Sequence, residues 1–188
     1  MTTQIRNGLD SKVWHDDYPE LGTGPIPIEP CVSQEYFELE RERIYKKTWL
    51  YVGRVEQIPN PGDYFVKDLS VCGTSVIVSR SKDGTVNALH NMCSHRGNKV
   101  VWDHAGTCQN FTCKFHGWNY GHNGRLKFVP DEGSFFALQK DQLGLTPINV
   151  DVWEGFVFIN LNPEPLDTLK EHLGELGVGL EGYPFDKL

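Results

Sequence analysis

Residues 1–32 show neither a two-residue nor a 3.6-residue apolar period, and they include the run Gly22-Thr23-Gly24-Pro25-Ile26-Pro27-Ile28-Glu29-Pro30. This predicts an extended arm that packs on something rather than an independent element, with Trp14, His15 and Tyr18 as candidate anchors. The pattern then becomes helical. Ser33 reads as an N-cap, Glu35, Glu38 and Glu40 fall early, and Arg41, Arg43, Lys46 and Lys47 fall late. That charge order suits the helix dipole, and Tyr36, Phe37, Leu39, Ile44 and Trp49 supply a rough apolar stripe. A helix over 34–47 is expected, inside an approach segment 33–50.

From residue 51 the chain changes to short β-branched and aromatic runs broken by turns. Strands are expected at 64–68, 75–79 and 85–91, around the turns Pro61-Gly62-Asp63 and Lys82-Asp83-Gly84. Further pairings follow from 111–114, and from 118–120 and 125–129 across His122-Asn123-Gly124, with His122 at a hairpin tip. Runs at 147–150 and 155–160 complete the set. Many short strands with Gly turns indicate a mainly β, antiparallel sandwich or barrel. A tail over 166–188 carries a short helical pattern (Leu169, Leu173, Leu176) followed by Gly177, Gly179, Gly182 and Pro184.

Composition narrows the class. With 188 residues and 39% hydrophobic content, a packed core is feasible. No apolar run approaches the length of a membrane span, and the start has no apolar signal region, so no membrane partner and a cytoplasmic location are expected. The net charge of −7 argues against nucleic acid. The charge is uneven: residues 93–127 hold Arg96, Lys99, Lys114, Arg125 and Lys127 against Asp103 alone, a net +4. Five cysteines form no disulfide framework. Thiolates used for metal are the simpler reading in a chain without an export signal.

Two loops carry the chemistry. Cys93-Ser94-His95-Arg96-Gly97 and Cys113-Lys114-Phe115-His116-Gly117-Trp118 each supply one thiol and one imidazole, with seventeen residues between His95 and Cys113. Structural zinc fingers usually pair like ligands within a motif. One soft and one borderline ligand per loop instead suits a two-metal cluster in which one iron takes two Cys and the other two His, the Rieske 2Fe–2S arrangement. Replacing two thiolates by neutral imidazoles makes the oxidised centre neutral, so it accepts an electron more readily than a four-thiolate cluster. Gly97 and Gly117 let the backbone turn behind each ligand pair and aim amide N–H groups at the sulfurs. Phe115, Trp118 and Tyr120 are candidates to shield one side. A structural zinc module using the same four ligands is an alternative.

Over about residues 33–161 the chain resembles the Rieske domain of the non-haem iron ring-hydroxylating oxygenases, in their large (α) subunit. The likeness rests on both loop motifs and on Glu40-Arg41-Glu42-Arg43-Ile44 leading to Trp49. It also rests on Pro61-Gly62-Asp63-Tyr64, Asp83-Gly84, Asn91-Met92-Cys93, Gly124-Arg125-Leu126 and Val157-Phe158-Ile159-Asn160-Leu161. It implies an antiparallel Rieske-type β-sandwich with a smaller cluster-binding subdomain, preceded by one N-terminal helix. The Rieske domain would run over 51–165, with its cluster loops at 93–118. Ligands would be Cys93, His95, Cys113 and His116, supported by Arg96, Gly97, Gly117 and Trp118. His116 would be the electron exit. The respiratory Rieske proteins match less well, because Asn98, Phe115 and Trp118 occupy the positions of their loop disulfide and serine. Fewer hydrogen bonds to the sulfurs predict a midpoint nearer roughly −150 mV than +300 mV.

The resemblance further implies an electron donor, a ferredoxin or flavoprotein reductase, which the basic stretch would help to dock. It implies an acceptor, a mononuclear non-haem Fe(II) in the catalytic domain of the same or a neighbouring subunit, and a homotrimer or α3β3 assembly at full length. The sequence shows no two-His-one-carboxylate motif for that iron. The 166–188 tail reads as the start of a catalytic domain lying elsewhere, although a free-standing Rieske ferredoxin is a second reading.

Overall fold

The computed structural model describes residues 19–22 and 24–187. The anchors proposed above, Trp14, His15 and Tyr18, lie outside the described residues. The chain divides into two compact units, Met1–Phe37 and Glu38–Leu188.

In the first unit the expected extended arm contains a 3-10 turn at Pro19–Leu21 and one helical turn at Glu29–Val32. Pro30 sits at the start of that turn, where its missing N–H costs nothing. Ser33 Oγ accepts the Tyr36 N–H at 3.2 Å, the capping role its position suggests. Helix α1 runs over Gln34–Glu40.

The expected helix to residue 47 does not continue as an α-helix. Arg41–Tyr45 forms a π-helical turn, in which the Lys46 N–H reaches past the usual acceptor to the Arg41 carbonyl at 3.0 Å. Trp49 belongs to strand β1 (Trp49–Arg54), which the helical stripe obscured. The sheet of the second unit then follows: β2 (Asp63–Leu69), β3 (Thr74–Arg80), β4 (Val86–His90) and β5 (Ala105–Thr107). A small sheet uses β6 (Phe111–Thr112), β7 (Asn119–Tyr120) and β8 (Leu126–Phe128). Strands β9 (Pro147–Trp153) and β10 (Phe156–Asn160) return to the large sheet. Its order is β1-β10-β9-β4-β3-β2-β5, every pairing is antiparallel, and the small sheet is ordered β6-β7-β8.

The alternation of side chains explains the layering. Along β3, Val76 and Val78 face one core with Phe65, Ala88, Val157 and Ile159, whereas Ile77 faces another with Tyr64, Leu89, Phe111 and Tyr120. Strand β3 is therefore apolar on both faces, and the loop-bearing small sheet covers one of them. Each fully buried aliphatic side chain there stabilises by about 2 kcal/mol. Both cysteines of the loop motifs belong to the core beneath the small sheet. Further on, α2 (Leu169–Leu180) starts at a capping box between Thr168 and Glu171 and is broken at Gly174. Among the described residues no helix is long and apolar enough to cross a membrane.

Candidate metal centre

The two loops are structural twins. In the first, the Gly97 N–H donates to the Cys93 carbonyl at 2.9 Å and the Cys93 N–H to the Asn98 carbonyl at 2.8 Å. In the second, the Gly117 N–H donates to the Cys113 carbonyl at 2.9 Å and the Cys113 N–H to the Trp118 carbonyl at 2.8 Å. Each turn closes through a left-handed glycine, with φ of 70° at Gly97 and 72° at Gly117. At Gly117 space matters too, since a Cβ would stand 3.0 Å from Pro130 Cγ.

These turns bring four side chains together as two pairs. Cys93 and Cys113 are buried in one core cluster, near enough for each thiol to shift the other. Nearer the surface, the His95 and His116 rings lie 4.7 Å apart, with His95 half-buried and His116 exposed. Trp118, fully inside, stacks on His95 at 4.7 Å and 8°. Phe115 is 58% exposed and leans on His116 at 3.9 Å, so it is a rim residue rather than part of a buried shield. Arg96 is exposed beside His95.

Backbone and side-chain donors converge on the sulfurs. Burial pushes the Cys93 thiol up, against the Tyr120 hydroxyl and the His95 N–H, which favour thiolate. Burial also acts to raise Cys113, but the Phe115 N–H, the Asn98 amide, Cys93 and the His116 N–H together hold it below its ordinary value. Burial, then the charges of His116 and Arg96, pushes His95 down toward the neutral imidazole that a metal requires.

Three residues complete the site: Tyr120, expected only as a shield, and Asn98 and Asn91, for which the motifs suggested no supporting role. Tyr120 OH lies 3.1 Å from Cys93 Sγ and 3.0 Å from Ser94 Oγ, whose own proton goes to the Leu143 carbonyl at 2.6 Å. Burial and Cys93 push the Tyr120 phenol far above its ordinary range, so it keeps its one proton, to be offered to a Cys93 thiolate or to Ser94 Oγ. Asn98 donates to Cys113 Sγ at 3.7 Å, linking the first loop to the second. Asn91 is 4% exposed; its Oδ1 accepts the Val100 and Val101 N–H groups at 3.0 and 2.8 Å, and its Nδ2 donates to the Val101 carbonyl at 2.7 Å. It pins the return of the first loop. An aromatic two residues beyond the second loop's tryptophan was a visible signal for Tyr120; for the asparagines only tertiary contact identifies the role.

The donor set fits a two-iron cluster: two buried thiols supplied with N–H and O–H donors, and two imidazoles nearer the surface, His95 among them held toward its neutral form. Twin cysteine–histidine turns on an antiparallel sandwich define an iron–sulfur electron-transfer domain. The sequence comparisons agree. A profile of the Rieske [2Fe-2S] domain matches residues 48–148, and the chain belongs to that family. The group the family holds is the Rieske 2Fe–2S cluster.

Among similar curated proteins, the large oxygenase component of a naphthalene 1,2-dioxygenase system from Pseudomonas aeruginosa is 38% identical over 152 residues, covering 79% of this chain and 33% of that protein. The benzene 1,2-dioxygenase subunit alpha of Pseudomonas putida is 35% identical over 151 residues, with the same coverage. A crystal structure of naphthalene 1,2-dioxygenase from Rhodococcus bound to indole matches with a TM-score of 0.79 at 31% identity, over 88% of this chain and 37% of that one. The chain thus spans about a third of the length of the relatives it matches.

Proposed function

We propose that Cys93 and Cys113 hold one iron and His95 and His116 the other, and that the chain passes single electrons toward an oxygen-activating iron. A bound Rieske cluster supplies reversible one-electron storage. The observation that carries this reading is the pairing of two thiols below and two imidazoles 4.7 Å apart above, on turns of identical hydrogen bonding. Gly97 and Gly117 shape the turns, Trp118 fixes the His95 ring by stacking, and Arg96 adds positive charge at the rim. His116 is the more exposed imidazole and so the natural exit.

The donor in this reading is a ferredoxin or a flavoprotein reductase. The acceptor is a mononuclear non-haem Fe(II) in the catalytic domain of the same or a neighbouring subunit, acting on an aromatic or related apolar substrate. A homotrimer or α3β3 assembly in the cytoplasm completes it. That the similar proteins are components of naphthalene and benzene dioxygenases supports this assignment. The test is metal and sulfide analysis of the purified chain. About two irons and two acid-labile sulfides per chain, with red-brown colour, are expected. Colourless protein holding a single zinc overturns the reading in favour of a structural zinc module.

A further inference from the structure

The hydroxyl groups beside Cys93 hold fewer protons than there are acceptors for them. The Leu143 carbonyl, Ser94 Oγ and Tyr120 OH stand in line, with Cys93 Sγ beyond. The carbonyl can only accept, and it lies 2.6 Å from Ser94 Oγ, the shortest contact of the line. The serine proton is therefore spent there. Ser94 Oγ then faces Tyr120 OH at 3.0 Å as an acceptor. Cys93 Sγ, as a thiolate ligand, is an acceptor too, 3.1 Å from the same phenol oxygen. Tyr120 has one proton for both.

The fold keeps this competition in place. Tyr120 is fully buried on β7. Leu143 follows the 3-10 turn Lys140–Gln142 and packs its side chain on the core cluster that contains Cys93 and Tyr120. The residues after it are clamped to the β7–β8 turn: the Leu145 N–H donates to the Gly124 carbonyl at 2.8 Å, and a Cβ on Gly144 would stand 2.8 Å from that same oxygen. The Leu143 carbonyl is thus a fixed acceptor, while Ser94 itself sits at the surface, where its side chain can be changed without opening the core. We infer that Ser94 is a positioning residue for electron transfer: anchored on the Leu143 carbonyl, it draws the Tyr120 O–H away from Cys93 Sγ and holds the midpoint below the value Tyr120 alone would set. A hydrogen bond to the sulfur favours the reduced, more negative state, so a rival acceptor for that proton lowers the potential. The role of Ser94 rests on Cys93 being the cluster ligand proposed above.

Redox titration of the cluster-loaded chain, with iron and sulfide counted first, tests this. Ser94→Ala should raise the midpoint, by about two-fold in the redox equilibrium or about 18 mV at about 59 mV per tenfold. Ser94→Thr, which keeps the hydroxyl, should restore the parent value, and its isostere Ser94→Val should behave as Ser94→Ala does. In a Tyr120→Phe background the Ser94→Ala change should shift nothing, because no proton is left to redirect. Resonance Raman gives a second readout. A stronger hydrogen bond weakens the iron–thiolate bond, so its stretching frequency should fall in Ser94→Ala and rise in Tyr120→Phe. With a full cluster present, an unchanged or lowered midpoint in Ser94→Ala, or an upward shift that persists without the Tyr120 hydroxyl, overturns the inference. If Ser94→Ala does not retain its cluster, the Ser94→Thr and Ser94→Val pair decides by the same outcomes. A parent chain that takes up no iron overturns the cluster reading itself, and the role of Ser94 with it.

Discussion

The phenol of Tyr120 carries the clearest single-residue prediction. A hydrogen bond to a thiolate sulfur favours the reduced, more negative centre, so Tyr120 raises the potential. Tyr120→Phe removes only the oxygen that sits 3.1 Å from Cys93 Sγ. With a bond worth about 1 kcal/mol, the midpoint should fall by about 40 mV. An unchanged midpoint in redox titration, with the cluster intact, would sink this role. His90 offers a pH prediction at the same scale. Burial holds its imidazole below the ordinary value, with Thr74 Oγ1 at 3.1 Å from Nδ1. The unfolded chain then binds more protons than the folded one between the depressed pKa and the ordinary value of about 6.5. Stability should therefore decline as pH drops through that window. Urea midpoints at mildly alkaline and mildly acidic pH should separate, and His90→Gln should narrow the gap; an equal gap in the variant counts against it.

At the scale of elements, the strands from 64 to 129 were legible because both faces of the sheet are buried and turn residues punctuate them. Strand β5 escaped notice: Ala105, Gly106 and Thr107 have no β-branched pattern worth reading, and only pairing with Asp63, Tyr64 and Phe65 makes them a strand. The four candidate ligands were legible through local spacing, whereas Asn91 and Asn98 were not, since their partners are supplied by the fold. Asn91 shows what that support is worth. Asn91→Ala would strand the Val100 and Val101 N–H groups and the Val101 carbonyl inside the core, at a cost of about 3 kcal/mol. The expected loss in Tm is about 8 °C, with the first loop, and so metal retention, affected most. A thermal melt within a degree or two of the parent protein would show that the loop holds itself.

At the scale of the whole molecule, the fold redistributes the charge that the sequence groups together. The +4 stretch reads as one basic patch around the loops, but Arg125 and Lys127 belong to the β7–β8 turn and β8, and Lys127 lines a cleft between that turn and the β3–β4 turn. Lys99 pairs with Asp68 at 3.2 Å and lies 5.9 Å from the Trp102 ring. Arg96 and Lys114 are left as the exposed cations beside the histidines, with Phe115, Trp102 and Met92 as exposed apolar neighbours. A docking surface of that composition gains most from contact and least from long-range steering. Reduction by an acidic ferredoxin should therefore slow by only a few-fold from low to high ionic strength, well short of strong electrostatic steering. Arg96→Gln with Lys114→Gln should remove most of that dependence, while Arg125→Gln should leave it intact. Stopped-flow reduction across a salt series measures both. A steep dependence that survives the Arg96 and Lys114 changes would move the donor's footprint away from the two loops.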